Sequence, residues 1–137
     1  LRDQQGRQAG AAEAPPAATP AQQAEYETVL TEADFERWMA ALENAELIAF
    51  DTETTSLDYM QARLVGLSFA VEPGRAAYVP VGHTYPGAPD QLPLDLVLAR
   101  MQPLLEAERP RKVGHNLKYD RNVLLNHGID LRGIAFD

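Results

Sequence analysis

Cysteine is absent from the 137 residues, which excludes disulfides and thiolate metal sites and agrees with a reducing compartment. No apolar stretch approaches the ~20 residues needed to span a bilayer, so no membrane is expected as a partner. An initiating methionine and a signal-type leader are lacking too, and the expectation is a cytoplasmic protein cut from something longer. Positive charge is scarce. Twelve Lys and Arg stand against 20 Asp and Glu, a net of −8, which argues against strong unaided DNA binding, because affinity for DNA comes largely from cations meeting phosphates. Internal repeats are not found. What is present is 45% hydrophobic content, enough for one core in one domain.

Residues 1–25 are rich in Ala, Gln, Pro and Gly, with Pro15, Pro16 and Pro20 breaking any helical run, and read as a flexible linker. The linker holds Arg2 and Arg7 against Asp3, Glu13 and Glu25, so nearly all the excess acid belongs to the domain at 26–137. In that domain a short strand is expected from Tyr26 to Leu30. Thr31 then opens a helix as a Thr-x-x-Asp cap with Asp34, and Phe35, Trp38, Met39 and Leu42 follow at helical spacing as a core stripe. The stretch from Leu47 to Glu53 reads as a buried strand. Leu64 to Val71 and Ala76 to Val81, joined by a turn at Glu72-Pro73-Gly74-Arg75, complete an antiparallel meander. A helix from about Leu94 to Glu106 is expected to be kinked or split at Pro103. A short strand at Lys112 to Gly114, a helix after Asn116 and a last strand at Ile134 to Phe136 end an α/β order. His83 falls in a polar loop and His127 near a helix end, and neither is expected to be a ligand.

Two carboxylates, Asp51 and Glu53, follow the run Leu47-Ile48-Ala49-Phe50. Side chains at i and i+2 of a strand share a face, so both acids can converge on one spot while Thr52 turns away. Two anions this close are costly unless a cation lies between them, and hard oxygen donors suit magnesium or manganese. In two-metal phosphoryl chemistry such ions clamp the attacking and leaving oxygens, which points to phosphodiester cleavage. Alone, an Asp-x-Glu pair is a weak signal that a solvated strand end also satisfies.

Asp120 adds a third acid. Its helix has Asn116 as N-cap and Gly128 as the residue that closes the C-terminus. At the helical period Leu117, Tyr119, Val123 and Leu124 form one apolar arc, and Asp120 falls near its middle. A carboxylate aimed at a core is paired, hydrogen-bonded or bound to metal. Two readings stay open at this point: a metal ligand, or an ordinary buried acid satisfied by Arg121 or a backbone donor.

These residues carry a family resemblance. Asp51-Thr52-Glu53-Thr54 with Ser56-Leu57 resembles the first motif, and Asn116-Leu117-Lys118-Tyr119-Asp120 the second motif, of the proofreading 3′ to 5′ exonuclease domain of bacterial DNA polymerase I, a family-A polymerase. The likeness runs on through Val65-Gly66-Leu67-Ser68-Phe69-Ala70, Ala77-Tyr78-Val79-Pro80-Val81 and Leu131 to Asp137, and covers about residues 26–137. It implies a ribonuclease-H-like fold, truncated before its C-terminal helices, and a site whose catalytic, metal-binding carboxylates are Asp51, Glu53 and Asp120. It also implies two divalent cations, Mg2+ or Mn2+, with Zn2+ an alternative at the tighter position. Thr52, Leu57, His115, Asn116 and Tyr119 are the implied substrate contacts, with Leu57 wedged against the terminal bases and Asn116 and Tyr119 on the frayed strand. His115 stands where relatives often carry Gln. The implied partners are the single-stranded 3′ end of primer DNA and a polymerase domain of the same parent chain, which would grip the duplex while bound cations reverse the local charge.

One motif of the family is missing. None of Tyr26, Tyr59, Tyr78, Tyr85 and Tyr119 has Asp four residues later, so the family's Tyr-x-x-x-Asp is absent, and Asp137 matches an acid outside the metal site. The expected function is therefore that of a fragment of a proofreading exonuclease acting in DNA replication and repair, itself nearly inactive. Two rival readings are a silent structural domain of a family-A polymerase and an RNA-trimming exonuclease with the same acids.

Overall fold

The computed structural model describes residues 25–55, 62–84 and 86–136. Among them are six strands and three helices, in the order β1 (Glu25–Thr28), α1 (Glu32–Glu43), β2 (Leu47–Thr54), β3 (Leu64–Glu72), β4 (Arg75–Pro80), α2 (Leu94–Glu106), β5 (Arg111–Val113), α3 (Leu117–Leu125) and β6 (Ile134–Phe136). The strands form one sheet in the order β1-β4-β3-β2-β5-β6. β2, β3 and β4 make the antiparallel meander, while β1 joins β4, β5 joins β2 and β6 joins β5 in parallel, so β3 alone runs against the rest. The sheet is thus mixed. Gly74, at φ 80°, makes the tight return between β3 and β4 that an L side chain would strain.

All three helices contribute to one apolar cluster against one face of the sheet. Phe35, Trp38, Met39 and Leu42 of α1, Val97, Leu98, Met101 and Leu105 of α2, and Leu117, Val123 and Leu124 of α3 pack with Ile48, Phe50, Leu67, Phe69, Ala77 and Val79. The strand residues in between lie on the opposite face. There Ala49, Asp51 and Glu53 of β2 are exposed, and Ser68, Ala70, Ala76 and Tyr78 are half-buried. β2 is therefore a half-buried strand rather than the buried one its apolar start suggests, with Leu47 also in solvent. This alternation leaves the carboxylates on an open face lined by Ala49, Ser68, Ala70, Ala76 and the larger Tyr78.

The helix ends follow the chemistry of their caps. Thr31 Oγ1 accepts from the Asp34 N–H at 3.1 Å and opens α1. At the end of α3, Ile129 N–H reaches Leu124 O and Gly128 N–H reaches Leu125 O, both at 3.0 Å, with Gly128 at φ 81°. That is a Schellman closure, and the buried Leu124 and Ile129 supply its apolar contact. α2 is not split at Pro103. Both Pro103 and Ala99, whose carbonyl loses its partner there, are exposed, so water can satisfy the freed oxygen.

Lys112 on β5 is fully buried, and its Nζ donates to Leu104 O and Ala107 O at 2.7 Å each, closing the C-terminus of α2. Burial pushes the ammonium down to about 8, against a smaller upward pull from Glu108. Its folded value lies below its unfolded value of 10.5, so the unfolded chain binds more protons between those limits and stability rises with pH across that window. Urea unfolding at pH 8 and pH 10.5 checks this. The gap in stability between the native chain and Lys112→Met is expected to move in favour of the native chain by on the order of 1–2 kcal/mol.

Candidate active site

β5 pairs with β2 only over Leu47 to Ala49, so beyond that point the β5 side of β2 has no strand partner. The chain that leaves β5 turns into α3 at once. Gly114 permits this, since a Cβ there would stand 2.6 Å from Phe50 O and 2.9 Å from a Leu117 methyl. Asn116 Oδ1 then caps α3 by accepting from Tyr119 N–H, and the first helical turn comes to lie alongside the end of β2. Tyr119 Oη and Thr54 Oγ1 meet at 2.7 Å.

Asp120 fills the gap left by β5. The residue is only 1% exposed, and its Oδ1 accepts from Thr52 N–H at 3.2 Å and from the Thr52 hydroxyl. The Thr52 donors thus engage one oxygen of Asp120, while Arg121 reaches Asp130 instead, at 3.5 Å. A carboxylate takes the place of a strand and holds the residue between Asp51 and Glu53. The Thr52 side chain is correspondingly committed to the core side.

On the open face, Asp51 and Glu53 stand two residues apart, each exposed to water. Although Asp51 is accessible, its carboxyl has enough protein around it that desolvation raises it above the usual carboxylate range. Glu53 adds to the rise, while His115 and the Thr52 amide oppose it. A bound cation would relieve that cost of charge. The pair fits a hard divalent ion in kind, as an all-oxygen donor set, but falls short in number. Among the described residues no group of three or more His, Asp or Glu is arranged to hold an ion. His115 is exposed beside Asp51, and Asn116 is exposed at the head of α3. Leu57 lies outside the described residues, as do Asp137 and nearly all of the 1–25 segment.

Two residues that the sequence did not place beside Glu53 lie against it. The Tyr78 hydroxyl on β4 donates to Glu53 Oε1 across the intervening β3, and His83 Nε2 stands 2.7 Å from that hydroxyl and 3.5 Å from Glu53 Oε1. His83 is therefore half-buried against the carboxylate rather than a bystander in a polar loop. The available signal was Gly66, a glycine inside a strand, which marks a close approach by something else.

The family model described as 3′-5′ exonuclease matches residues 26–137. DNA polymerase I of Pseudomonas aeruginosa is 55% identical over 124 residues, which are 88% of this chain and 14% of that protein. DNA polymerase I of Rhizobium leguminosarum is 43% identical over 129 residues, 82% of this chain and 12% of that protein. The chain thus spans a small part of the relatives it matches. Among solved structures, RNase D of Trypanosoma brucei superposes with a TM-score of 0.65 at 22% identity, covering 80% of this chain and 36% of that one, a likeness of the ribonuclease-H-like exonuclease fold. Among the described residues no helix is long and apolar enough to cross a membrane.

Proposed function

This chain belongs to the 3′-5′ exonuclease family found in DNA polymerase I, and we propose that it is a portion of the proofreading domain of such a polymerase, which hydrolyses the 3′-terminal nucleotide of mispaired primer DNA. The observation that supports the reading most is the Asp51 and Glu53 pair, set on an open sheet face within a family-matched chain, where desolvation raises the Asp51 carboxyl. These two carboxylates would hold divalent cations, Mg2+ or Mn2+, which when bound supply charge stabilisation to the attacking and leaving oxygens of a phosphodiester. Asp120 fixes Thr52 and thereby the line of β2, and is the third carboxylate that would help hold the cations. His115, beside Asp51, and Asn116 and Tyr119, at the start of α3, bind the frayed strand, with Leu57 as a wedge at the terminal bases.

Selectivity for mispairs follows from the cost of unpairing. Several nucleotides must leave the duplex before a 3′ end can reach an open-face site, and an already mispaired end costs less. With the net charge at −8, duplex gripping falls to a polymerase domain of the same protein, in the cytoplasm where replication and repair take place. The 137 residues alone are expected to turn over slowly, since no Tyr-x-x-x-Asp accompanies the acids. The test is a Mg2+-dependent digestion by the longer protein that carries this chain, comparing a mispaired 3′ end on primed DNA, a paired end and single-stranded RNA. Faster shortening of the mispaired DNA end supports the reading. Preference for RNA, or no cation-dependent shortening, overturns it.

A further inference from the structure

Glu53 is held by a side chain that reaches it over a neighbouring strand, and the sheet register shows how. Glu53 on β2 is opposite Gly66 on β3, and Gly66 is opposite Pro80 on β4. Tyr78 lies one step along, opposite Ser68, with its side chain on the same open face as Glu53. Its ring leans diagonally across β3 and lies directly on Gly66, where any Cβ would overlap it, at 1.9 Å from the hydroxyl and 2.3 Å from the ring carbon that bears it. The glycine is thus a notch through which a β4 phenol meets a β2 carboxylate.

The far side of the phenol is fixed as well. His83 Nε2 stands 2.7 Å from the Tyr78 hydroxyl, and the His83 backbone is clamped by one side chain, its N–H donating to Gln91 Oε1 at 2.9 Å and its carbonyl accepting from Gln91 Nε2 at 3.0 Å. Gln91 Nε2 also reaches Pro89 O at 3.2 Å, which ties down the loop after β4. A glutamate side chain has three rotatable bonds, and 54% of this one is open to solvent. Packing alone does not choose its rotamer, but a hydrogen bond to one oxygen can.

We propose that Tyr78 is a positioning residue for Glu53: lying in the Gly66 notch and backed by His83, it holds one carboxylate oxygen so that the other is presented beside Asp51. The inference rests on the reading of Asp51 and Glu53 as a cation-binding pair. Partners that orient a ligating carboxylate typically contribute 10- to 100-fold to metal affinity, so about a tenfold loss is expected when the phenol hydroxyl is removed.

Mn2+ titration of the full 137-residue chain, followed by paramagnetic broadening of amide NMR signals, measures this. Asp51→Asn reports whether the cation uses the pair, and Tyr78→Phe reports the positioning. The 13Cδ resonance of Glu53 in the cation-free chain is the second readout, because a purely structural role for Tyr78 would leave it in place. The proposal expects saturable broadening around Thr52 in the native chain, its loss in Asp51→Asn, about tenfold weaker binding in Tyr78→Phe and a shifted Glu53 resonance. Gly66→Ala keeps the hydroxyl but fills the notch, and should weaken Mn2+ to a similar degree. Native-like affinity in Tyr78→Phe with binding still lost in Asp51→Asn would overturn the positioning role alone. No saturable broadening in the native chain would overturn the cation-binding reading and the positioning role with it.

Discussion

Replacing Asp51 with alanine is expected to lower Mg2+-dependent removal of 3′-terminal nucleotides by more than about a hundredfold, since loss of a group that merely orients a ligand already costs 10- to 100-fold. Asp51 is the more sensitive of the pair. It lies between Glu53 and His115 in electrostatic terms, and desolvation makes its charge costly to carry without a counter-ion. The variant should fold as the native chain does, because the side chain is exposed and makes no part of the apolar cluster. Single-turnover digestion of a mispaired primer by the longer protein measures the effect, with thermal unfolding as control. A loss of less than about tenfold would place the essential carboxylate elsewhere.

The second large effect is on stability. Asp120→Ala removes the acceptor of two donors at a buried position, the Thr52 N–H and hydroxyl, and nothing in β5 extends far enough to replace it. Leaving buried donors unsatisfied costs about 1–3 kcal/mol each, so a loss of at least ~2 kcal/mol is expected. Asp120→Asn keeps an acceptor oxygen for the Thr52 amide and should lose clearly less. Urea unfolding in the presence of a chelator separates this from any effect of cations. If Asp120→Ala unfolds within about 0.5 kcal/mol of the native chain, the carboxylate is not what secures the end of β2.

That role shows where the sequence was legible and where it was not. The helical arc around Asp120 placed a carboxylate in the core, and the structure buries it. Helix periodicity reports only which way a residue points, however, so the donor at Thr52 stayed unseen until β5 was known to stop at Ala49. Capping residues were readable for a related reason. Thr31 and Gly128 act on atoms within a few residues of themselves, and both perform as their types suggest. The alternation in β2 was masked by its apolar start, because Leu47 and Ala49 face solvent beside Ile48 and Phe50.

The Glu53 surroundings were the least legible. Tyr78 lies 25 positions from Glu53, and the contact depends on two strand registers and on the missing side chain of Gly66 between them. No local pattern carries that information. The parallel docking of β1 on β4, which completes the open face with Tyr26 and Thr28, is equally a product of tertiary pairing.

The cation-binding role of the open face can be tested directly by anomalous diffraction from crystals grown in Mn2+. An anomalous peak at the carboxylates of Asp51 and Glu53, absent from crystals of Asp51→Asn, is the result expected of this site. Ordered carboxylates at both positions with no anomalous density beside them, at a Mn2+ concentration that supports digestion by the longer protein, would contradict it.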